Sequence, residues 1–575
     1  MKKIASLLLI LTMLLATTAC GSKEATDAPE GGDNATADGA QTLTGTGKGF
    51  GGDITATVTV EGDKITAVTV VGDGETKDIG TNAIDELPGK IVEAGNTNVD
   101  VTAGATVTSE GIIYAVNNAM DPAGYPYPAE GDDTEKEPAD VVETSASGLY
   151  QGLGINNSGR KGPGEDAEGV SVYSSNQVFA NVLFDEEGVI QGIFIDQLEV
   201  VTPNYDGEGA PIFSGWPGQG GYNYDENHDG TIVGKTDDTE ENFQEEVSSW
   251  ITKRDRGDGY QMGTGSWSDQ MDKYQELFVG KTVAEIEEWF DKYCSDTNGR
   301  PLQETSEAEG DADKYAALSD EDKTMLADVV TGATMSLNDA HGDIISAIAD
   351  AEANKRPIEV DGVAGLGIGV DTSGRIRKSD DGPTSYSVNE IISATAYDAD
   401  GKIVAIYVDQ IEYMSPDSSN ESDFAGFPGQ TGLEADSDKD GELDGPLEPT
   451  EDTFLDDVST WTTKRSRGDD YQMTSGSWEE QMDIFEKAFI GMTVSELEDW
   501  FAKYTSDENG KVLNDASEGE GDADKYAALS DEDKTMLTDT VAGATMSLDD
   551  AHGNIVGAIV KSYDNKVTVA ITVEK

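Results

Sequence analysis

The stretch "NVDVTAGATVTSEGI", residues 98–112, places an aspartate, a Gly104-Ala105-Thr106 turn and two further hydroxyls, Thr108 and Ser109, ahead of an apolar-periodic segment. Two other stretches repeat it: "ADVVTGATMSLNDA" around Thr334 and "TDTVAGATMSLDDA" around Thr545. In each copy an aspartate, Asp100, Asp328 or Asp539, stands six residues before the threonine. Thr108, Ser336 and Ser547 have the chemistry of N-caps, and Ser336 with Asp339, or Ser547 with Asp550, has capping-box spacing with aspartate in place of glutamate. This predicts Thr106, Thr334 and Thr545 just before a helix N-terminus. Free backbone N–H groups and the positive end of the helix dipole favour an anion there, a phosphate in particular, and Gly104, Gly332 and Gly543 let it approach the backbone. A single such turn is more often a capped turn without ligand; three copies with the same acid and hydroxyl favour a ligand.

Around the motif the chain divides into three units of one α+β scaffold. Residues 45–121 hold "DITATVTVEGDKITAVTVVG", which alternates apolar and polar residues about a turn at Gly62-Asp63. A helix candidate "TNAIDELPGKIVEAG" follows, then the motif, then a helix from about Ser109 to Met120. A Pro-rich acidic linker covers 122–147. Two longer units, 148–355 and 356–575, are a tandem duplication: "TKRDRGDGYQMGTGSW" from Thr252 returns as "TKRSRGDDYQMTSGSW" from Thr463, at the offset that also relates Thr334 to Thr545. Each begins with a strand pair ("VFANVLFDEEGVIQGIFIDQ", "IISATAYDADGKIVAIYVDQ") and ends with motif and helix, so their polar middles read as insertions.

On these residues, "ETKDIGTNAIDELPGKIVEAGNTNVDVTAGATVTSEGI", 75–112, resembles the FMN-binding domain of sodium-pumping quinone reductase subunits, fumarate-reductase-type enzymes and flavin-bearing lipoproteins of Gram-positive bacteria. In that family the last Thr of D-x-x-[ST]-G-A-T-x-[ST] is joined to FMN through its phosphate by a flavin transferase. The resemblance therefore implies Thr106, Thr334 and Thr545 as acceptors, with Asp100, Asp328 and Asp539 as upstream acids and up to three covalent FMN groups. Ala103 and Ala542 depart from the family's Ser or Thr, whereas Thr331 fits.

The amino terminus "MKKIASLLLILTMLLATTAC" pairs two lysines with a short apolar run ending in small residues before Cys20. It reads as a lipoprotein signal, 1–20, with Thr17 where Leu is usual, followed by a flexible tether, 21–44. Lipid on Cys20 would hold the protein at the extracytoplasmic membrane face. A count of 38 Lys and Arg against 114 Asp and Glu, net charge −76, repels phosphate backbones and argues against nucleic acid. Cys20 and Cys294 are the only cysteines, too few for a cysteine-ligated iron–sulfur cluster, and no C-x-x-C-H haem attachment is present. Cys294, replaced by Thr505 in the repeat, reads as a half-buried structural residue.

Asp225, Asn227 and Asp229 before Gly230, and Asp436, Asp438 and Asp440 before Gly441, have the alternating oxygen donors of a calcium loop, without the bidentate acid at position twelve. An acidic turn without metal has the same residues. Lys253, Arg254 and Arg256, repeated as Lys464, Arg465 and Arg467, can pair with a flavin phosphate or make internal salt bridges. The aromatic set Trp250, Tyr260, Trp267 and Trp461, Tyr471, Trp478 reads as core. His341 and His552 read as surface residues of the following helix, matched by Ile113 in the first unit. Together these point to a lipid-anchored electron carrier that takes electrons from a membrane donor, a dehydrogenase or quinol, and passes them to an extracellular acceptor. Two other readings are a terminal flavin-dependent reductase of a small molecule and a calcium-binding adhesion lipoprotein that keeps the fold without flavin.

Overall fold

The computed structural model describes residues 40–49, 52–61, 64–72, 80–97, 99, 106–120, 143–205, 207, 209–224, 231–235, 239–257, 260–262, 264–378, 384–416, 422–435, 445–473, 475–540 and 542–573. They fall into two compact units, Met1–Glu137 and Pro138–Lys575.

In the first unit β1 (Ala40–Gly49), β2 (Gly52–Glu61) and β3 (Lys64–Val71) form an antiparallel meander. The period-2 pattern read from sequence buries Ile54, Ala56, Val58 and Val60 on one face of β2. Helix α1 (Gly80–Ala94) lays Ala83, Leu87 and Ile91 onto that face, and α2 (Thr106–Met120) adds Ile112, Ala115, Val116 and Ala119. Gly45 and Gly47 of β1 let α2 lie directly on the strand, since a Cβ on either would run into the backbone of Ala115 or Gly111. The sheet starts at Ala40, inside the stretch read as tether, because glycines at alternate positions interrupt the apolar alternation that would mark β1 in the sequence.

The second unit repeats this device twice. Strands β4 (Glu143–Ala146), β5 (Leu149–Glu165), β6 (Ser171–Phe184) and β7 (Ile190–Val201) are followed by α3 (Glu240–Ser248), α4 (Trp267–Phe278), α5 (Val283–Tyr293), α6 (Asp320–Gly332), α7 (Ile344–Ala353) and β8 (Arg356–Ile358). The last copy runs through β9 (Gly362–Arg377), β10 (Ser385–Tyr397), β11 (Ile403–Met414), α8 (Glu451–Thr460), α9 (Trp478–Phe489), α10 (Val494–Tyr504), α11 (Asp531–Thr540), α12 (Ile555–Asp564) and β12 (Val567–Val573). Gly152 and Gly154 of β5 sit under the carbonyls of Ala351 and Ala347 of α7; Gly367 and Gly369 of β9 sit under Ser562 and Ala558 of α12. The same Gly-x-Gly strand thus seats the motif-following helix in all three copies.

The sheets have orders β8-β5-β6-β7 and β11-β10-β9-β12-β4. Strand β8, beyond the boundary at 355, closes the sheet of the copy before it, and β4, in the stretch read as linker, pairs in parallel with β12. Strands this short carry no periodicity from which to read them. The inserted middles cross over: Phe243 of α3 packs on Gly374 of β9, and Phe454 and Leu455 of α8 pack on Gly159 of β5. Gln219 Nε2 donates to the Ala425 carbonyl at 2.8 Å and Gln430 Nε2 to that of Ser214 at 2.6 Å, a reciprocal pair. Between them Phe213, Trp216, Phe424 and Phe427 belong to one core built by both copies. The long copies therefore fold as a single unit.

Candidate functional site

In the long copies the motif is an extended turn pinned by its neighbours. Ala333 and Met335 are buried, and Thr334 between them is half-buried; Ala544 and Met546 are buried, and Thr545 is exposed. Backbone alternation turns the threonine away from the core. Ser266 and Ser477 start α4 and α9 with capping boxes, which set Gln270 and Gln481 on the buried faces of those helices. Gln270 Oε1 accepts from the backbone N–H of Thr334 (2.9 Å) and Met335 (3.1 Å) and lies 3.3 Å from Thr334 Oγ1. Gln481 does the same for Thr545 (2.8 Å), Met546 (3.0 Å) and Thr545 Oγ1 (3.3 Å). A second hydroxyl, Thr264 or Ser475, stands 3.1 Å from each threonine Oγ1. These glutamines went unnoticed in the sequence; their signal is a polar residue recurring on an otherwise apolar helix face.

Four expectations are corrected. Ser336 and Ser547 do not cap the following helices. Asp343 caps α7 by accepting from the Ser346 N–H, and Asn554 caps α12 by accepting from that of Gly557. A two-residue hairpin, 338–339 with 342–343 and 549–550 with 553–554, stands between motif and helix, so the helix after the motif does not begin at Thr334 or Thr545. The capping-box spacing is coincidental: Gly342 and Gly553, at φ +139° and +116°, close a tight turn there instead. The histidines likewise lie in this hairpin turn and not on the helix. In the first unit Thr106 is the first residue of α2, so its backbone stands at a helix N-terminus, and Thr108 lies inside the helix, buried, where it cannot serve as the N-cap expected of it.

Positive charge at the long-copy sites comes from side chains. A cavity of about 350 Å³ adjoins Thr545, lined by Lys464, Lys511, Tyr471, Trp478, Asp550 and His552 among others. The residues at the corresponding positions of the preceding copy are Lys253, Arg300, Tyr260, Trp267, Asp339 and His341. Lys464 is 3% exposed, 3.3 Å from the buried Glu412, which also meets Arg375 at 3.7 Å; Lys253, Glu199 and Arg160 repeat this at 3.2 and 3.7 Å. Burial works to raise the Glu412 pKa, but Lys464, His552 and Arg375 outweigh it and hold the carboxyl below the usual range. His552 Nδ1 lies 2.9 Å from Asp550 Oδ1, as His341 Nδ1 does from Asp339, and Gln410 Nε2 donates to the His552 carbonyl. The basic run divides its work: its lysine joins the buried Glu, while Arg254 pairs with Asp272 (2.8 Å) and Arg465 with Asp483 (2.7 Å) and Glu486 (2.9 Å). Trp250 and Trp461 are core; Tyr471 and Trp478 also wall the cavity.

The other predicted residues are scattered. Asp328 is an exposed residue of α6 with no hydrogen-bond or ion-pair partner among the described residues, and Gly332 ends that helix. Gly543 adopts φ +93°, a conformation that favours glycine. Asp539 lies near the end of α11. Asp100, Gly104, Cys20 and both calcium-like loops (Asp225, Asn227, Asp229; Asp436, Asp438, Asp440) lie outside the described residues. Among the described residues no group of three His, Cys, Asp or Glu could hold a metal ion, and no helix is long and apolar enough to cross a membrane. Cys294 is buried, which pushes its thiol pKa up. Ser336 Oγ is buried beside Thr334 without a partner among the described residues.

Comparison with known proteins places these features. Residues 49–121 match the FMN-binding domain family. The chain is 32% identical over 232 residues to a chlorophenol reductase of Desulfitobacterium hafniense, covering 38% of this chain and 62% of that protein. It is 38% identical over 110 residues to a urocanate reductase of Eggerthella lenta (19% and 18% of the two chains). Over 78 residues it is 38% identical to an NADH:acrylate oxidoreductase of Vibrio harveyi (14% and 8%). The chain thus spans less than two thirds of the length of each of these relatives. By this match residues 49–121 are a domain of the FMN-binding type.

Proposed function

We propose that the protein is a lipid-anchored, extracytoplasmic electron carrier with FMN esterified to Thr106, Thr334 and Thr545, relaying electrons from a membrane dehydrogenase or quinol to an extracellular acceptor. The observation that carries this reading is the matched presentation of Thr334 and Thr545, each on a glutamine-held turn, the latter opening onto a cavity with cations and aromatic rings. The residues fit a flavin phosphate. Thr545 supplies the ester oxygen, Lys464 and Lys511 offer positive charge in a chain of net charge −76, and Tyr471 and Trp478 offer aromatic surface. Bound FMN supplies the electron chemistry, which no side chain here provides. Covalent attachment suits an exterior setting, where a dissociated cofactor would diffuse away.

Intact mass after co-expression with a flavin transferase tests this. Up to three FMN adducts are expected, and Thr106→Ala, Thr334→Ala and Thr545→Ala should each remove one; colourless protein bearing no adduct would refute the reading. Cys20→Ala should move the protein from the membrane to the soluble fraction. The names of the relatives favour a second reading, a terminal reductase of a small organic acceptor. Rapid reoxidation of the reduced, loaded protein by a chlorinated phenol, urocanate or acrylate would support it over the carrier.

A further inference from the structure

Gln270 and Gln481 are 0% exposed, and each carboxamide oxygen faces three donors of the acceptor turn. Only the oxygen can face the two backbone N–H groups, because an amide NH2 offers them no acceptor. The NH2 end turns to the carbonyl of Gly265 (3.5 Å) or Gly476 (3.4 Å), in the short hairpin that also carries Thr264 or Ser475. One buried side chain therefore ties the acceptor turn to a hairpin that brings a second hydroxyl to 3.1 Å from the threonine oxygen. Glutamine and threonine are separated by 64 residues in both copies, so the arrangement survived duplication as a tertiary feature.

We propose that Gln270 and Gln481 are positioning residues for the esterification of Thr334 and Thr545: each fixes the threonine rotamer and presents Oγ1 outward to the modifying enzyme. This rests on the covalent-flavin reading above. In the reaction Oγ1 attacks the phosphorus of a flavin phosphoanhydride. The Oγ1–P bond forms, the anhydride P–O bond breaks and its electron pair leaves with the nucleotide monophosphate. The hydroxyl proton passes to a base of the transferase. A glutamine amide is no base, so its contribution is orientation, which lowers the entropy lost in reaching the attack geometry.

The test uses the full chain, unflavinylated, with a flavin transferase and a flavin dinucleotide donor, and follows the Thr334 and Thr545 peptides separately by mass spectrometry. Gln481→Met, which keeps the volume and loses the acceptor, should slow modification of Thr545 by at least about tenfold while Thr334 proceeds at the wild-type rate. Normal labelling of Thr334 in the same molecule reports that the unit is folded. Gln481→Glu, whose carboxylate accepts from the same three donors but loses the bond to the Gly476 carbonyl, should restore Thr545 in part, to a rate above that of the Met variant. Gln270→Met should give the mirror-image result. Equal rates at Thr545 in wild type and Gln481→Met, or a Gln481→Glu protein as slow as the Met variant, would overturn the assignment. Wild-type protein that gains no flavin at any threonine overturns the parent reading and this inference with it.

Discussion

Glu390 of β10 is fully buried where the two long copies meet, with Gln177 of β6 as its partner: Gln177 Nε2 donates to Glu390 Oε2 at 2.5 Å. Burial pushes the carboxyl up to about 8, against weaker opposing effects from Gln177 and Tyr413, and no cation is among the groups acting on it. The folded state thus holds this proton to a higher pH than the unfolded chain, whose ordinary value is 4.5. The group destabilises progressively as pH rises from the unfolded value to the folded one. A gap of about 3.5 pH units at about 1.4 kcal/mol each gives a cost of about 5 kcal/mol above pH 8, of which about 4 kcal/mol develops between pH 5 and 9. Glu390→Gln removes the charge and keeps the shape. Urea denaturation from pH 5 to 9, followed by tryptophan fluorescence, should show the wild type losing about 4 kcal/mol more than the variant. All 7 tryptophans lie in the second unit, so the signal reports on it alone. Other buried acids, Asp196 and Asp409 among them, titrate in both proteins and cancel. Parallel stability–pH curves would refute the reasoning.

Gly154→Ala or Gly369→Ala should destabilise by about 1–3 kcal/mol or more, since the new methyl meets the Ala347 or Ala558 carbonyl. Gly234→Ala, which meets nothing, should leave the thermal midpoint unchanged. Lys464→Met leaves the buried Glu412 only its 3.7 Å pair with Arg375 and should destabilise at neutral pH, by less than the about 3–5 kcal/mol of stranding a buried charge altogether. Because Lys464 is among the groups that keep the Glu412 pKa low, the variant should recover part of this loss as pH falls and Glu412 protonates; a loss independent of pH would count against the pairing.

How legible was the molecule before its structure? The β2–β3 meander was readable because one face is buried, leaving a period of two; β6–β7 and β10–β11, buried on both faces, were readable as apolar runs flanking the turns that end in Gly188 and Gly401; and the α4–α5 pair because Trp267, Met271, Tyr274 and Phe278 recur at helical spacing. The three Gly-Ala-Thr turns were visible as a motif. Their surroundings were not. Ser336 and Asp339 have capping spacing, but Asp339 sits in a hairpin, where backbone geometry set by Gly342 outweighs a local side-chain preference. The Gly-x-Gly strands look like weak strands in sequence, and their meaning emerges only when a helix lies on them.

From residue order alone came the α+β class, the duplication, the acceptor motif and the acidity that disfavours nucleic acid, because periodicity, repetition and charge are properties of the linear chain. Folding in three dimensions decided that the two long copies share one core through crossed insertions, that Gln270 and Gln481 hold the turns carrying Thr334 and Thr545, and that Lys464 and Lys511 line the cavity beside Thr545. Those contacts join residues tens to hundreds of positions apart. Which partner a buried polar atom finds at such separations depends on how the sheets and helices pack, and no local pattern encodes it.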